Sequence, residues 1–259
     1  VAREDMAVTH SLAGRRALVT GGSKGIGGAI ALGLAQAGAD VVIGHLKDDA
    51  NAGATAQSIA SLGRRTLAIE ADVAVEGDAV RLVATAAAHL GGLDVLVQSA
   101  GINQGTPLLE ASAADFDRII GVNLRGLFLV GREAARVMVR QGTGGRIINV
   151  ASELAYLGRA GYSVYAASKG GVLSLTRSWA RELAPDMLVN AIAPGPIDTD
   201  LLDWPSLSAA ARAEEETAVV LRRIGRPEEL AGVAVFLAGP GATYVTGQCY
   251  GVNGGAVMT

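Results

Sequence analysis

Lysine is scarce in this chain. Only Lys24, Lys47 and Lys169 occur among 22 basic residues, so arginine carries nearly all the positive charge. Cysteine is scarcer still: the single Cys249 excludes an internal disulfide and fits a reducing compartment. The three histidines, His10, His45 and His89, lie far apart and no two have metal-ligand spacing, so no metal site is expected. A formal net charge of −3 points away from nucleic acid or an acidic membrane surface as partner. The longest apolar runs, such as 230–238, are about half of what a membrane-spanning helix needs. The charged stretch 1–10 has no apolar core of the signal-peptide kind. The expectation is a cytoplasmic protein with a flexible extension over 1–12 and one folded domain over 13–259.

What is abundant is apolar residues, 50% of the chain, and 35 glycines at the joints between apolar runs. Strands are expected at 16–20, 41–44, 66–70, 93–99, 146–150, 188–193 and 248–252. Helical periodicity covers 26–37, 50–62, 79–90, 114–140, 164–184 and 228–238, with Gly38 and Gly63 as stop residues. The strands are short continuous apolar runs, which predicts burial on both faces. Strand alternating with helix throughout predicts an α/β fold, a parallel sheet covered by helices, without an internal linker.

The first strand runs into Thr20-Gly-Gly-Ser-Lys-Gly-Ile-Gly27 before the first helix. Glycine lets the backbone approach a ligand closely, and a helix N-terminus offers free N–H groups and a positive dipole end to a diphosphate. The alternative is a tight strand-to-helix turn that binds nothing. In such a unit the end of the second strand faces an adenosine ribose. His45 stands there, with Lys47 nearby and no carboxylate before Asp48. Without an acid to repel a 2′-phosphate, and with Lys24 in the turn, the reading leans to NADP over NAD. Both lysines also suit a solvated surface.

Tyr165-Ala-Ala-Ser-Lys169 places a phenol and an ammonium at i and i+4, on one helix face. A unit charge about 4 Å away at an effective dielectric near 20 is worth roughly 4 kcal/mol, about three pKa units, enough to make tyrosine a usable acid or base. With five tyrosines and three lysines in 259 residues, chance gives about 0.06 such pairs. The alternative is an exposed pair with no role. Ser152 follows the fifth strand, at the end where ligands sit in open parallel sheets, and suits either a substrate hydrogen bond or an ordinary loop turn. Asn123 interrupts an apolar helical stretch and needs hydrogen-bond partners there, whether structural or catalytic. No G-x-S-x-G elbow occurs to suggest hydrolase chemistry.

Taken together, the glycine turn, Asp72-Val73, Asn123, Ser152, Tyr165-x-x-x-Lys169 and Pro194-Gly-Pro-Ile-Asp-Thr199 resemble the short-chain dehydrogenase/reductase family over nearly the whole chain. Gly225-Arg-Pro-Glu-Glu229 and Tyr244-Val-Thr-Gly247 extend the resemblance to the C-terminal third. It implies a doubly wound, seven-stranded parallel sheet of the Rossmann type and reversible hydride transfer between NAD(P)(H) and a secondary alcohol or ketone. Tyr165 would be acid/base, Ser152 would orient the carbonyl, Lys169 would lower the tyrosine pKa and hold the nicotinamide ribose, and Asn123 would hold a water-linked proton path to Lys169. Cofactor contacts are implied for Gly21, Ser23, Lys24, Gly25, Ile26, Gly27, His45, Asp72, Val73, Ser99, Ala100, Gly101, Tyr165, Lys169, Pro194, Gly195, Ile197 and Thr199. A homotetramer is implied as well. Two positions depart from the family pattern: Gln98-Ser99-Ala100-Gly101 replaces Asn-Asn-Ala-Gly, and Asn253 stands where an acid is usual.

A non-catalytic dinucleotide-binding regulator on the same fold is the competing function; its mark would be a broken catalytic set, and here the set is complete. Leu201, Leu202, Trp204 and Leu207 suit either a lid over an uncharged ketone, alcohol or sugar, or a subunit contact. Glu153 and Gln104 are candidate polar contacts to a polyol, sugar or keto-ester.

Overall fold

The computed structural model describes residues 11–258. Most of the expected N-terminal extension lies outside these residues, but its last member does not behave as an extension. Leu12 is buried and its N–H donates to the Ala37 carbonyl at 2.7 Å, so the folded domain includes it.

Seven strands form one all-parallel sheet in the order β3-β2-β1-β4-β5-β6-β7. They are β1 (Arg16–Thr20), β2 (Asp40–His45), β3 (Thr66–Glu70), β4 (Val95–Gln98), β5 (Gly145–Val150), β6 (Met187–Pro194) and β7 (Cys249–Val252). The order reverses direction between β1 and β4, which opens a crevice beyond the carboxyl ends of those strands. Successive side chains point to opposite faces, so each strand feeds two cores. Leu18, Val42, Leu96 and Ile147 pack with α3 (Glu76–Leu90), α5 (Leu127–Gln141) and α7 (Ser163–Glu182). Val19, Val41, Ile43, Val97 and Ile148 pack with α1 (Gly25–Gln36), α2 (Asp49–Ser61) and α9 (Glu228–Ala238). Burial on both sides explains the unbroken apolar runs in the sequence.

Three further helices complete the chain: α4 (Ala113–Ile120), the one-turn α6 (Leu154–Leu157) and α8 (Ala209–Thr217). The single helix expected over 114–140 is α4 and α5 joined through a π-helical turn, Gly121–Gly126. Gly126 sits in that turn because a Cβ there would lie 2.8 Å from Val73 Cγ2. A π turn carries one more residue per turn and redirects the side chains within it, here Asn123. The α8 helix was not foreseen, although Ser208 caps it by accepting from the Ala211 N–H at 3.2 Å. Among the described residues no helix is long and apolar enough to cross a membrane, and no group of three His, Cys, Asp or Glu is placed to hold a metal ion.

Candidate active site

Helix α7 decides where the catalytic pair points. Its buried positions are Tyr165, Ser168, Lys169, Val172, Leu173, Thr176, Trp179 and Ala180, a stripe of three- and four-residue steps facing the sheet. Tyr165 and Lys169 lie in that stripe, which removes the reading of an exposed surface pair. A buried polar chain anchors the helix to the sheet: Gln98 Nε2 donates to Asn149 Oδ1 and Asn149 Nδ2 to Thr176 Oγ1, each at 2.9 Å. The family departure at Gln98 therefore holds α7 in register with β4 and β5 and does not line the cofactor wall.

A cavity of about 700 Å³ opens at the carboxyl ends of the strands. Its wall includes Gly21, Lys24, Gly25, Ile26, Gly27, Ser99, Ala100, Gly101, Ser152, Tyr165, Lys169, Pro194, Gly195, Ile197 and Thr199, which brings most of the expected site together. Ser23, His45, Asp72, Val73 and Asn123 lie outside that wall. His45 is buried at the end of β2, with Nδ1 3.8 Å from Asp49 Oδ1. Asp72 closes the turn after β3 by accepting from the Ala74 N–H at 2.9 Å, and Val73 is a core residue against Gly126.

The glycine turn is shaped to hold a dinucleotide. Gly21 has φ +64°, and a Cβ on it would come within 2.8 Å of the Ala100 nitrogen. A Cβ on Gly27 would lie 2.0 Å from the Gly21 carbonyl oxygen. No side chain caps the N-terminus of α1, which leaves its N–H groups and dipole to an anionic ligand. A cradle closed to every side chain larger than hydrogen, at an uncapped helix end, fits a diphosphate.

At the far side of the cavity Ser152 and Tyr165 share a hydrogen bond between their hydroxyls. The Lys169 ammonium donates to the Val150 carbonyl at 2.8 Å and lies 5.7 Å from the centre of the Tyr165 ring. The pair is adjacent as expected, but its net electrostatics reverse the expected shift. Burial pushes the Tyr165 phenol up to about 12, with the Ser152 hydrogen bond opposing and the Glu153 carboxylate adding to the rise. Burial alone brings Lys169 down to about 8. Desolvation outweighs attraction because the ammonium is spent on a backbone carbonyl and sits beside the ring.

The Asn123 side chain is bonded to the loop after β4 and to α7. Its Oδ1 accepts from the Ile102 N–H at 2.8 Å, while Nδ2 donates to the Ile102 carbonyl at 2.9 Å and to Ser168 Oγ at 3.2 Å. It clamps the loop after β4 to α7. Gly101 lies beside both groups: a Cβ there would be in ordinary contact with Asn123 Oδ1 at 3.4 Å and Lys169 Nζ at 3.6 Å.

Other expectations need correction. Gln104 is engaged by Thr106, Asp115 and Arg118 and does not line the cavity. Leu201, Leu202 and Leu207 do line it, but Trp204 instead carries the Arg212 guanidinium over its ring. Asn253 ties the C-terminal loop by accepting from the Gly255 N–H at 3.0 Å and donating to the Val257 carbonyl at 3.1 Å. An amide does both; an ionised acid at that place could only accept. Lys24 is paired with Asp200 at 2.7 Å and lies 3.9 Å from Asp48. Asp48 accepts from Ser23 Oγ at 2.7 Å, which holds its carboxyl below the usual range. Arg159 and Glu215, neither singled out in the sequence, form an ion pair joining the loop after α6 to α8 across the cavity mouth.

A Rossmann sheet with a diphosphate cradle at its switch point and a buried Ser-Tyr-Lys set opposite defines a dinucleotide-dependent oxidoreductase. The family described as enoyl-(acyl carrier protein) reductase matches residues 21–257. The chain is similar to the 3-oxoacyl-(acyl-carrier-protein) reductase of a Synechocystis species, 39% identical over 96% of this chain and 99% of that protein. It is also similar to the 2-dehydro-3-deoxy-D-gluconate 5-dehydrogenase of Escherichia coli, 38% identical over 95% of this chain and 96% of that protein. Among solved structures, a short-chain dehydrogenase from Burkholderia cenocepacia in complex with NADP superposes with a TM-score of 0.89 at 38% identity, covering 95% and 98% of the two chains. The chain belongs to the short-chain dehydrogenase/reductase family and is an NAD(P)-dependent enzyme acting between C–OH and C=O groups.

Proposed function

We propose that this enzyme reduces an uncharged ketone of the polyol, sugar or keto-ester type, with Tyr165 as the acid that protonates the carbonyl oxygen. The bound nicotinamide supplies the hydride. Ser152 donates to the same oxygen and fixes it beside the phenol. Lys169, one turn along α7, holds the nicotinamide ribose and favours the phenolate once the proton has left. Asn123 positions Lys169 and the 101–103 loop and does not itself touch the reacting atoms.

The observation that carries this reading is a buried phenol that faces the cavity, hydrogen-bonded to Ser152 and kept protonated by burial up to about 12. A proton-bearing phenol serves as the acid in the reduction direction, and its conjugate base accepts the proton in the reverse. The alkoxide left by hydride addition is more basic than the phenolate and takes the proton downhill.

Charge pairing in the wall supports an uncharged substrate. Among the described residues that line the cavity, Lys24 is tied to Asp200, Arg159 to Glu215 and Lys169 to the Val150 carbonyl. A substrate carboxylate would have to displace one of these carboxylates or face Glu153, Glu214 and Glu215. The two named relatives, nearly equal in identity, act on different substrates, so pocket chemistry is the better guide to substrate class.

The family resemblance further suggests a cytoplasmic homotetramer. Exposed Leu108, Leu109, Phe116 and Phe128, on and beside α4 and α5, offer apolar surface for subunit contact. Light scattering at micromolar concentration tests the assembly, with a monomer as the contrary result.

The decisive assay is Tyr165→Phe with NADPH and NADH across neutral ketones and sugar acids. Turnover is expected to fall by about 10²–10⁴-fold while nucleotide binding, read by cofactor fluorescence, persists. Near-wild-type turnover would reject Tyr165 as the acid. A wild-type preference for sugar acids over uncharged ketones would reject the substrate class.

A further inference from the structure

Glu153 directly follows Ser152 in the chain and lines the same cavity. Its backbone N–H donates to the Pro194 carbonyl at 3.0 Å, and the first turn of α6 starts on it, so its position is fixed by main chain. Its Oε2 is buried in the wall and has no hydrogen-bond partner among the described residues, which leaves Oε1 as the carboxyl oxygen that a ligand in the cavity can reach. Space for the carboxyl is made by Gly195, where a Cβ would lie 2.7 Å from Glu153 Oε2 and 2.7 Å from Asn253 Cα.

The charged and titratable groups around it are Glu215 and Glu214 from α8, Arg159 from the loop after α6 and Tyr165 from α7. Arg159 is the nearby cation, but its guanidinium is bonded to Glu215 and gives Glu153 no hydrogen bond. A buried carboxyl beside a second carboxylate, with no donor aimed at it, resists ionisation. Burial and Glu215 push Glu153 up to about 7 against the opposing effect of Arg159.

We infer that Glu153 is a specificity-determining residue that, in its uncharged form, donates a hydrogen bond to a second, acceptor-only oxygen of the substrate, selecting keto-esters and diketones over simple ketones. This rests on the proposed reduction of an uncharged ketone by Tyr165 and narrows its substrate class. Ser152 and Tyr165 hold the reacting oxygen, and the next residue along the chain reads the neighbouring one. An ionised Glu153 presents only lone pairs to a carbonyl oxygen, and its charge also holds the Tyr165 proton more tightly.

The test compares kcat/KM for ethyl acetoacetate and 2,3-butanedione with that for 2-pentanone, in wild type, Glu153→Gln and Glu153→Leu, from pH 6 to pH 9. Wild type is expected to favour the dicarbonyl compounds by about tenfold at pH 6, the worth of one well-placed hydrogen bond. That ratio should decline as pH rises through about 7. Glu153→Gln, whose amide donates at every pH, should keep the ratio and lose its pH dependence. Glu153→Leu should bring the ratio near one. Difference infrared spectra of the free protein, wild type minus Glu153→Gln, should show a protonated-carboxyl band at pH 6 that vanishes by pH 9. Nucleotide binding by each variant confirms that it is folded.

An unchanged ratio in Glu153→Leu overturns the inference while leaving the proposed reduction intact. So does a wild-type preference for 3-hydroxy-2-butanone that grows with pH, since the carboxylate would then be accepting. Absence of wild-type turnover on every ketone with either cofactor would instead strike the proposed function itself.

Discussion

The Lys169 ammonium hydrogen-bonds the Val150 carbonyl at the end of β5, 2.8 Å away, and no carboxylate compensates its charge. The bond aims the side chain at the cofactor cavity, but the charge stays buried at a cost, which brings the ammonium down to about 8. Lysine is used three times in this chain, and this one is held against its own stability.

Replacing it should therefore stabilise the fold while damaging catalysis. A folded-state value of about 8 against an ordinary 10.5 means that the unfolded chain binds more protons between those values. Stability then rises as pH increases through that window, and the full cost is present below it. The shift is worth roughly 3 kcal/mol at pH 7, partly offset by the acceptor left unpaired at Val150, about 1–3 kcal/mol. Lys169→Met should denature at higher urea than wild type at pH 7, with the advantage shrinking by pH 10, and should turn over far more slowly. Lower stability than wild type at pH 7 would show that the ammonium is compensated after all.

Asn123→Ala should loosen the loop after β4. It leaves both Ile102 backbone groups and Ser168 without their amide partner in a buried setting. A loss of about 2–3 kcal/mol in stability is expected, with faster hydrogen exchange at Ile102. Unchanged exchange there would contradict the clamp.

Nucleotide choice is expected to turn on Lys24, Asp48 and Asp200. The lean to NADP requires Lys24 to leave Asp200 for a 2′-phosphate, while ionised Asp48 stands close by. Lys24→Ala should weaken NADPH binding more than NADH binding, and Asp48→Asn should strengthen NADPH binding. Each change is expected to be about two- to fivefold, the scale of one exposed charge contact. Titration by cofactor fluorescence measures both; equal effects on the two nucleotides would place the ribose end elsewhere.

Gly27→Ala should abolish dinucleotide binding, because the new Cβ would sit 2.0 Å from the Gly21 carbonyl oxygen and force the cradle open. Isothermal titration with NADPH provides the check. Retained affinity would mean that the turn is not the diphosphate site.

Much of this protein is determined by the sequence alone. Continuous apolar strands, glycine stops and strand-helix alternation dictate a buried parallel sheet, because backbone and side-chain periodicity are local properties. The glycine turn and the i, i+4 spacing of Tyr165 and Lys169 were legible for the same reason. Balances between distant groups were not. The rise of the Tyr165 phenol depends on how deeply α7 is buried, and the freedom of Lys24 depends on Asp200, a residue 176 positions away. The roles of Gln98, Asn123 and Gln104 followed from partners that only the folded chain brings near. Tertiary structure decided the charges, since desolvation and long-range pairing belong to the packed molecule and to no short stretch of its sequence.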